Sequence, residues 1–132
     1  MLTQLKRVAD AEGLPFGNRT KTYNSRLAQE LAKWAEEQGR GDAFHLAAFR
    51  AYFADGKNIA QVDSLLDTVA AVGLNPVEAH THIEERTYRV AVDSDWQLAR
   101  QLGITAVPTF LWDKRRLVGA QPYQALKRFL TT

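Results

Sequence analysis

Cysteine is missing from all 132 positions. That removes disulfides, thiolate metal sites and thiol nucleophiles from the chemistry this chain carries on its own side chains. Long apolar runs are missing as well. No stretch approaches the roughly 18 residues of a membrane-spanning helix, and Met1-Leu2-Thr3-Gln4-Leu5-Lys6-Arg7 has no extended apolar core of the signal-peptide kind. These two features lead to the expectation of a cytoplasmic chain with no membrane role. Nor does either sign of charge dominate. The balance of 17 Lys and Arg against 15 Asp and Glu gives +2, too mild to argue for nucleic acid. There is no Gly-rich phosphate loop, no nucleophile elbow and no outstanding carboxylate pair for acid–base work.

What is present suits one folded domain. Hydrophobic residues make up 45% of the chain, enough for a core at this length. Gly13, Gly39, Gly56, Gly73 and Gly103 each follow a helix-like segment, where a left-handed cap suits glycine. Residues 3–12 form an amphipathic helix with Leu5, Val8 and Ala9 on one face. Asn24 reads as an N-cap for a helix to about Gln38, with Leu27, Leu31, Trp34 and Ala35 at helical spacing. Residues 42–54 are apolar nearly all round, the pattern of a buried helix. Val62, Leu65, Leu66, Val69 and Val72 predict another. Asn75-Pro76-Val77-Glu78 is a strong helix start, with a cap, a proline in the first turn and a Glu placed to bond back.

Toward the C-terminus the pattern changes. A helix over about 88–102 carries Val92, Trp96, Ala99 and Leu102 and stops at Gly103. Pro108 to Trp112 reads as a strand, Asp113-Lys114-Arg115 as a turn and Arg116 to Gly119 as a second strand. A last helix over 122–131 is expected to bury Ala125, Leu126, Phe129 and Leu130. Val107, preceding a proline, is pushed to extended geometry, and Pro108 suits only the mouth of a strand. About seven helices and one β-hairpin result. A hairpin alone is marginal in water, so it must pack on helices or find further strands.

Several separated pieces agree in order: AEGLPF at 11–16, YNSRLAQELAKWAEEQG at 23–39, FHLAAFRAYFADGKNI at 44–59, VGLNP at 72–76 and ARQLGITAVPTFLWDKRRLVGAQP at 99–122. Together they resemble the DsbA-family, FrnE-like branch of the thioredoxin superfamily, with relatives among 2-hydroxychromene-2-carboxylate isomerases and kappa-class glutathione transferases. The resemblance implies an α+β, mostly helical fold: a truncated DsbA- or thioredoxin-like domain with a C-terminal hairpin preceded by a cis-proline. It further implies a single domain over 1–132, in which 20–88 is a helical insert and 1–19 with 89–132 are what remains of the thioredoxin-like part. Such proteins open with a strand, a turn carrying Cys-x-x-Cys (Ser in the glutathione-linked branch), a long helix and a second strand. Nothing in this sequence corresponds to that half.

The family's disulfide exchange needs a thiolate attacking sulfur, so this chain cannot turn over as a dithiol oxidoreductase alone. The expectation is a non-catalytic binding or interaction module that self-associates; the alternative is part of a disulfide oxidoreductase, or of a glutathione-linked isomerase or transferase, active only with a partner chain. No catalytic residue is assigned. The ligand-binding candidates are Val107 and Pro108, whose loop faces a peptide or thiol ligand in the family, and Asn24, which stands where the family has Asn-Thr. Against these, Val107-Pro108 also reads as an element holding the hairpin in register, and Asn24 as a helix cap. No cofactor is expected unless it is glutathione. The expected partner is a second copy, paired through the exposed strand edge. His80 and His82 with Glu78, Glu84 and Glu85 look metal-like, but residues two apart do not share a helix face, which favours a solvated surface. His45 is read as a core or boundary histidine. Trp34, Phe44, Phe49, Tyr52, Phe53 and Trp96 suit either core packing or an aromatic ligand groove. Lys114-Arg115-Arg116 and Lys127-Arg128 suit either a basic patch for an acidic partner or, better, a solvated charged hairpin tip and helix end.

Overall fold

The structure, a computed structural model, describes residues 2–18 and 20–131. Among these residues there are seven α-helices, one π-helical turn and one two-stranded antiparallel hairpin, divided between two compact units, Met1–Val92 and Asp93–Thr132.

The first unit holds α1 (Leu2–Ala11), α2 (Arg26–Glu37), α3 (Gly41–Phe49), α4 (Val62–Ala71), α5 (Pro76–Glu85) and the start of α6 (Arg89–Gln101). Its core is built on α2, where Ala28, Leu31, Ala32, Trp34 and Ala35 are buried. The alanines keep the helix surface low, so α3 and α5 pack closely on it. Leu65 and Val69 of α4 and Ala79 of α5, all at 0% exposure, close the core with Phe44 and Ile83. The leucine, valine, isoleucine and phenylalanine side chains among these each contribute about 1.5–3 kcal/mol through burial. The Asn75 cap forms as read: its side-chain oxygen accepts from the N–H of Val77 at 2.8 Å and of Glu78 at 3.3 Å.

Two local readings need correction. Asn24 is not the N-cap of α2. Ser25 holds that position, and the Asn24 carboxamide oxygen accepts from the Arg26 N–H at 2.8 Å from one residue earlier. Nor is the 42–54 segment a buried helix. Only Phe44 and Ala51 are buried in it, because α2 and α4 cover one side and leave Leu46 and Phe49 exposed, each at 59%. The α-helix also widens after Phe49. Residues Arg50–Ala54 form a π-turn, in which the Asp55 N–H reaches the Arg50 carbonyl at 3.0 Å. This turn anchors the Leu14–Asn18 link: the Gly17 N–H donates to the Phe53 carbonyl at 2.7 Å. Glycine is required there, since a Cβ would lie 2.3 Å from the Ala54 carbonyl oxygen.

The second unit contains the rest of α6, the hairpin strands β1 (Thr109–Trp112) and β2 (Arg115–Val118), and α7 (Tyr123–Thr131). The register pairs Thr109 with Val118, Phe110 with Leu117, Leu111 with Arg116 and Trp112 with Arg115. The turn is tighter than expected: Asp113 takes a positive φ of 57°, and Arg115 already belongs to β2. Arg115 lays its guanidinium over the Phe129 ring, 5.3 Å from its centre. The expected burial along α6 and α7 is not met in this unit. Ala125, Leu126 and Phe129 are half-buried, while Trp96, Leu102 and Leu130 are exposed. Among the described residues from 93 onward, not one side chain is fully buried. The apolar periodicity is real, but two short strands and two helices supply too little surface to cover it.

Candidate functional site

The loop before β1 is fixed from both ends. At the end of α6 the Gly103 N–H donates to the Arg100 carbonyl at 3.0 Å and the Ile104 N–H to the Ala99 carbonyl at 2.9 Å, a glycine-capped stop. The Arg116 guanidinium reaches back from β2 and donates to the carbonyls of Gly103, at 3.0 Å, and Leu102. Arg116, read as solvated charge, therefore satisfies the open carbonyls of a helix C-terminus. On the strand side the Pro108 carbonyl accepts from the Gly119 N–H at 2.8 Å, and the Thr109 hydroxyl donates to the Ala106 carbonyl at 2.6 Å.

Between these anchored neighbours stands Val107, 88% exposed, joined to Pro108 by a cis peptide bond. Among the described residues neither its N–H nor its carbonyl takes a hydrogen bond. One residue thus presents a backbone donor and acceptor to solvent while the backbone on either side is held. Such a pair can hydrogen-bond to the main chain of an extended peptide. Beyond it, β1 carries Phe110, Leu111 and Trp112 into solvent on both faces of a ribbon that has two strands only.

Asn24 belongs to the first unit, apart from the unit that holds Val107 and Pro108. With Arg26, Leu27, Ala60 and Arg86 it lines a pocket of about 350 Å³. Two of these residues, Arg26 and Arg86, hold a buried carboxylate that the sequence pattern does not reveal. Glu30 is 4% exposed and is held by two guanidinium groups, Arg26 Nε at 2.8 Å and Arg86 Nη2 at 2.6 Å. The Arg86 hydrogen bonds hold the Glu30 carboxyl below its ordinary pKa; burial opposes this, and Arg26 adds to it. The Arg26 to Glu30 spacing of four residues was a readable signal, whereas Arg86, 56 residues from Glu30, gave none. Asn24 orients the first turn of α2 here and places its amide at the pocket edge.

The histidines separate. His80 faces Glu84 at 3.6 Å. His82 is half-buried: it packs between Trp34 and Tyr88, with ring centres 5.6 and 5.3 Å away, and its Nδ1 lies 3.0 Å from the Thr87 hydroxyl. His45 lies 3.3 Å from a Glu36 carboxylate oxygen. The aromatic set divides too. Trp34 and Phe44 are core, whereas Phe49 and Phe53 face a cleft.

A family model described as the DSBA-like thioredoxin domain matches residues 1–131. The chain belongs to that family. Among solved structures, the crystal structure of "probable DsbA oxidoreductase SCO1869" from Streptomyces coelicolor superposes with a TM-score of 0.88 at 30% identity, over 98% of this chain and 57% of that one. The cytosolic disulfide reductase DsbM from Pseudomonas aeruginosa, solved with GSH, matches with a TM-score of 0.66 at 26% identity, over 95% of this chain and 65% of that one. The Bacillus subtilis protein YwbO is 29% identical over 121 residues, 89% of this chain and 60% of YwbO. This DsbA-like chain thus spans about three fifths of the length of the relatives it matches. Among its described residues, no helix is long and apolar enough to cross a membrane.

Proposed function

We propose that this DsbA-like chain is a non-catalytic binding and interaction module that self-associates in the cytoplasm, with Val107 and Pro108 as its ligand-facing loop. The observation that carries this reading is the exposed ribbon. Residues 93–131 bury no side chain completely, and the β1–β2 hairpin shows an apolar run along an unpaired edge. An edge of that kind invites pairing with another strand, and a second copy offers the same edge. The Val107 donor–acceptor pair, continuous with β1, is suited to the main chain of a peptide or of glutathione; Asn24, in the first unit, is a separate candidate contact. The GSH in the DsbM structure supports glutathione as the thiol to try, and DsbM's cytosolic description supports the compartment.

A second reading has its own support. SCO1869 is named as an oxidoreductase, and this chain spans 57% of it. A partner chain that brings a thiol would then complete a reductase or a glutathione-linked enzyme. Sedimentation velocity across a wide concentration range, with insulin reduction and glutathione conjugation assayed on the same preparation, separates the readings. Concentration-dependent association without turnover supports the module. A strict monomer at high concentration removes self-association, and turnover by the purified chain overturns the non-catalytic reading.

A further inference from the structure

A cleft of about 400 Å³ opens between α1, the Leu14–Phe16 link and the α3–π-turn segment. That size lies within the ~300–1,000 Å³ typical of small-molecule sites. Its walls are Val8, Leu14, Leu46, Phe49 and Phe53, all exposed, with Phe16 stacked on Phe53 at 6.3 Å between ring centres. Exposed apolar surface gathered in a concavity, rather than scattered singly, marks a binding place. The Gly17–Phe53 hydrogen bond pins the link to the π-turn at the floor of the cleft. π-Turns recur where a helix must reposition side chains for function, and this one carries both Arg50 and Phe53.

Arg50 is the one charged residue in the lining. Among the described residues its guanidinium has no hydrogen-bond or ion-pair partner. An unpaired guanidinium against an apolar wall specifies the ligand: an apolar body to cover the aromatic and aliphatic surface, and one anionic group to accept the fork of N–H donors. We infer that the cleft binds a free amphipathic carboxylate of the medium-chain fatty-acid class, its chain along Val8, Leu46 and Phe49 and its carboxylate on Arg50. This is independent of the Val107 loop, which lies in the other unit.

The test is titration of the purified chain with decanoate, and with decanol as its uncharged match, followed by amide NMR shifts. Expected is saturable binding of decanoate at one site, with shifts confined to α1, the Leu14–Phe16 link and the Arg50–Ala54 turn, and decanol weaker by about tenfold, the worth of one charge-assisted hydrogen bond. Arg50→Gln should remove that preference and leave decanol binding unchanged; Leu46→Gln should weaken both. Arg50 and Leu46 are exposed, so both variants should keep the parent melting temperature. Equal affinity for decanoate and decanol, an unchanged preference in Arg50→Gln, shifts elsewhere in the chain, or no saturable binding would each overturn the assignment. So would a cleft that closes on a second copy, seen as a Leu46→Gln variant that changes oligomeric state without changing decanoate binding.

Discussion

Arg86 donates two hydrogen bonds to the Glu30 carboxylate, Nε to Oε1 at 2.9 Å and Nη2 to Oε2 at 2.6 Å, and so ties the end of α5 to the middle of α2. Arg86 does this from a left-handed backbone, φ 53°, at the C-cap of α5. Removing the guanidinium strands a buried carboxylate with Arg26 alone. Arg86→Ala should cost about 2–3 kcal/mol at neutral pH, somewhat less than the ~3–5 kcal/mol of breaking a fully buried pair, because the Arg86 side chain is 41% exposed. Arg86→Gly loses the same ion pair but relieves the backbone, and should be about 0.5–1 kcal/mol more stable than Arg86→Ala. The difference from the parent chain should fade in acid. A carboxyl held below its ordinary pKa contributes stability that is present above its unfolded pKa and lost as pH falls through the folded one. Urea denaturation of the three proteins, at neutral pH and in acid, checks all of this.

Tyr88 gives a prediction of opposite sign. Its hydroxyl donates to the Glu37 carboxylate at 2.6 Å, and its pKa is pushed up to about 12, first by burial and then by that hydrogen bond and charge. The folded state favours the neutral phenol. The stabilisation is therefore complete below pH 10 and is lost as pH climbs toward 12. Tyr88→Phe should cost about 1–2 kcal/mol at neutral pH, and the gap to the parent should close at the alkaline end. Ultraviolet titration should show the parent's tyrosinate step near pH 12 missing from the variant. A parent chain with no tyrosinate step near pH 12 would rule out the Glu37 contact in solution.

Of the glycines, Gly17 leaves the least room for a side chain. A methyl group there would lie 2.3 Å from the Ala54 carbonyl oxygen, and no flexible side chain can give way. Gly17→Ala should therefore push the Leu14–Asn18 link off the π-turn and destabilise the protein by about 1–3 kcal/mol, the range for overpacking. The same change should widen the apolar cleft and weaken decanoate binding more than Leu46→Gln does. Calorimetric melting and the decanoate titration measure the two effects on one sample.

How much of this was legible in the residues varies by kind of information. Local chemistry was readable. Asn75-Pro76 opens α5 as expected, and Gly39 and Gly73 carry the left-handed φ values of 73° and 80° that follow helices. Separated segments in family order were readable as well, and the DSBA-like family match and SCO1869 superposition agree with them. What the one-dimensional pattern lacked was cover. Periodicity says that Leu46, Phe49 and Phe53 lie together on one side of a helix, and that Leu126 and Phe129 do so in α7, but not whether another element arrives to bury them. The Glu30–Arg86 pair was hidden for a related reason: a contact across 56 residues leaves no periodic trace. The π-turn is a third case, since its widening serves a docking carbonyl that only the Gly17 contact reveals.

The candidate loop can be tested through a single backbone atom. If Val107 meets ligands through its main chain, its N–H is the essential donor and its side chain is not. Val107→Pro deletes that N–H. Since Val107 is 88% exposed and its N–H has no partner among the described residues, folding should lose almost nothing, within about 0.5 kcal/mol for a surface change. Val107→Ala keeps the N–H and serves as the control. With glutathione as the probe, a rise in melting temperature should be seen for the parent and for Val107→Ala and be lost in Val107→Pro. Equal responses from all three proteins would move the glutathione contact away from this backbone and leave the loop as a brace for the hairpin register.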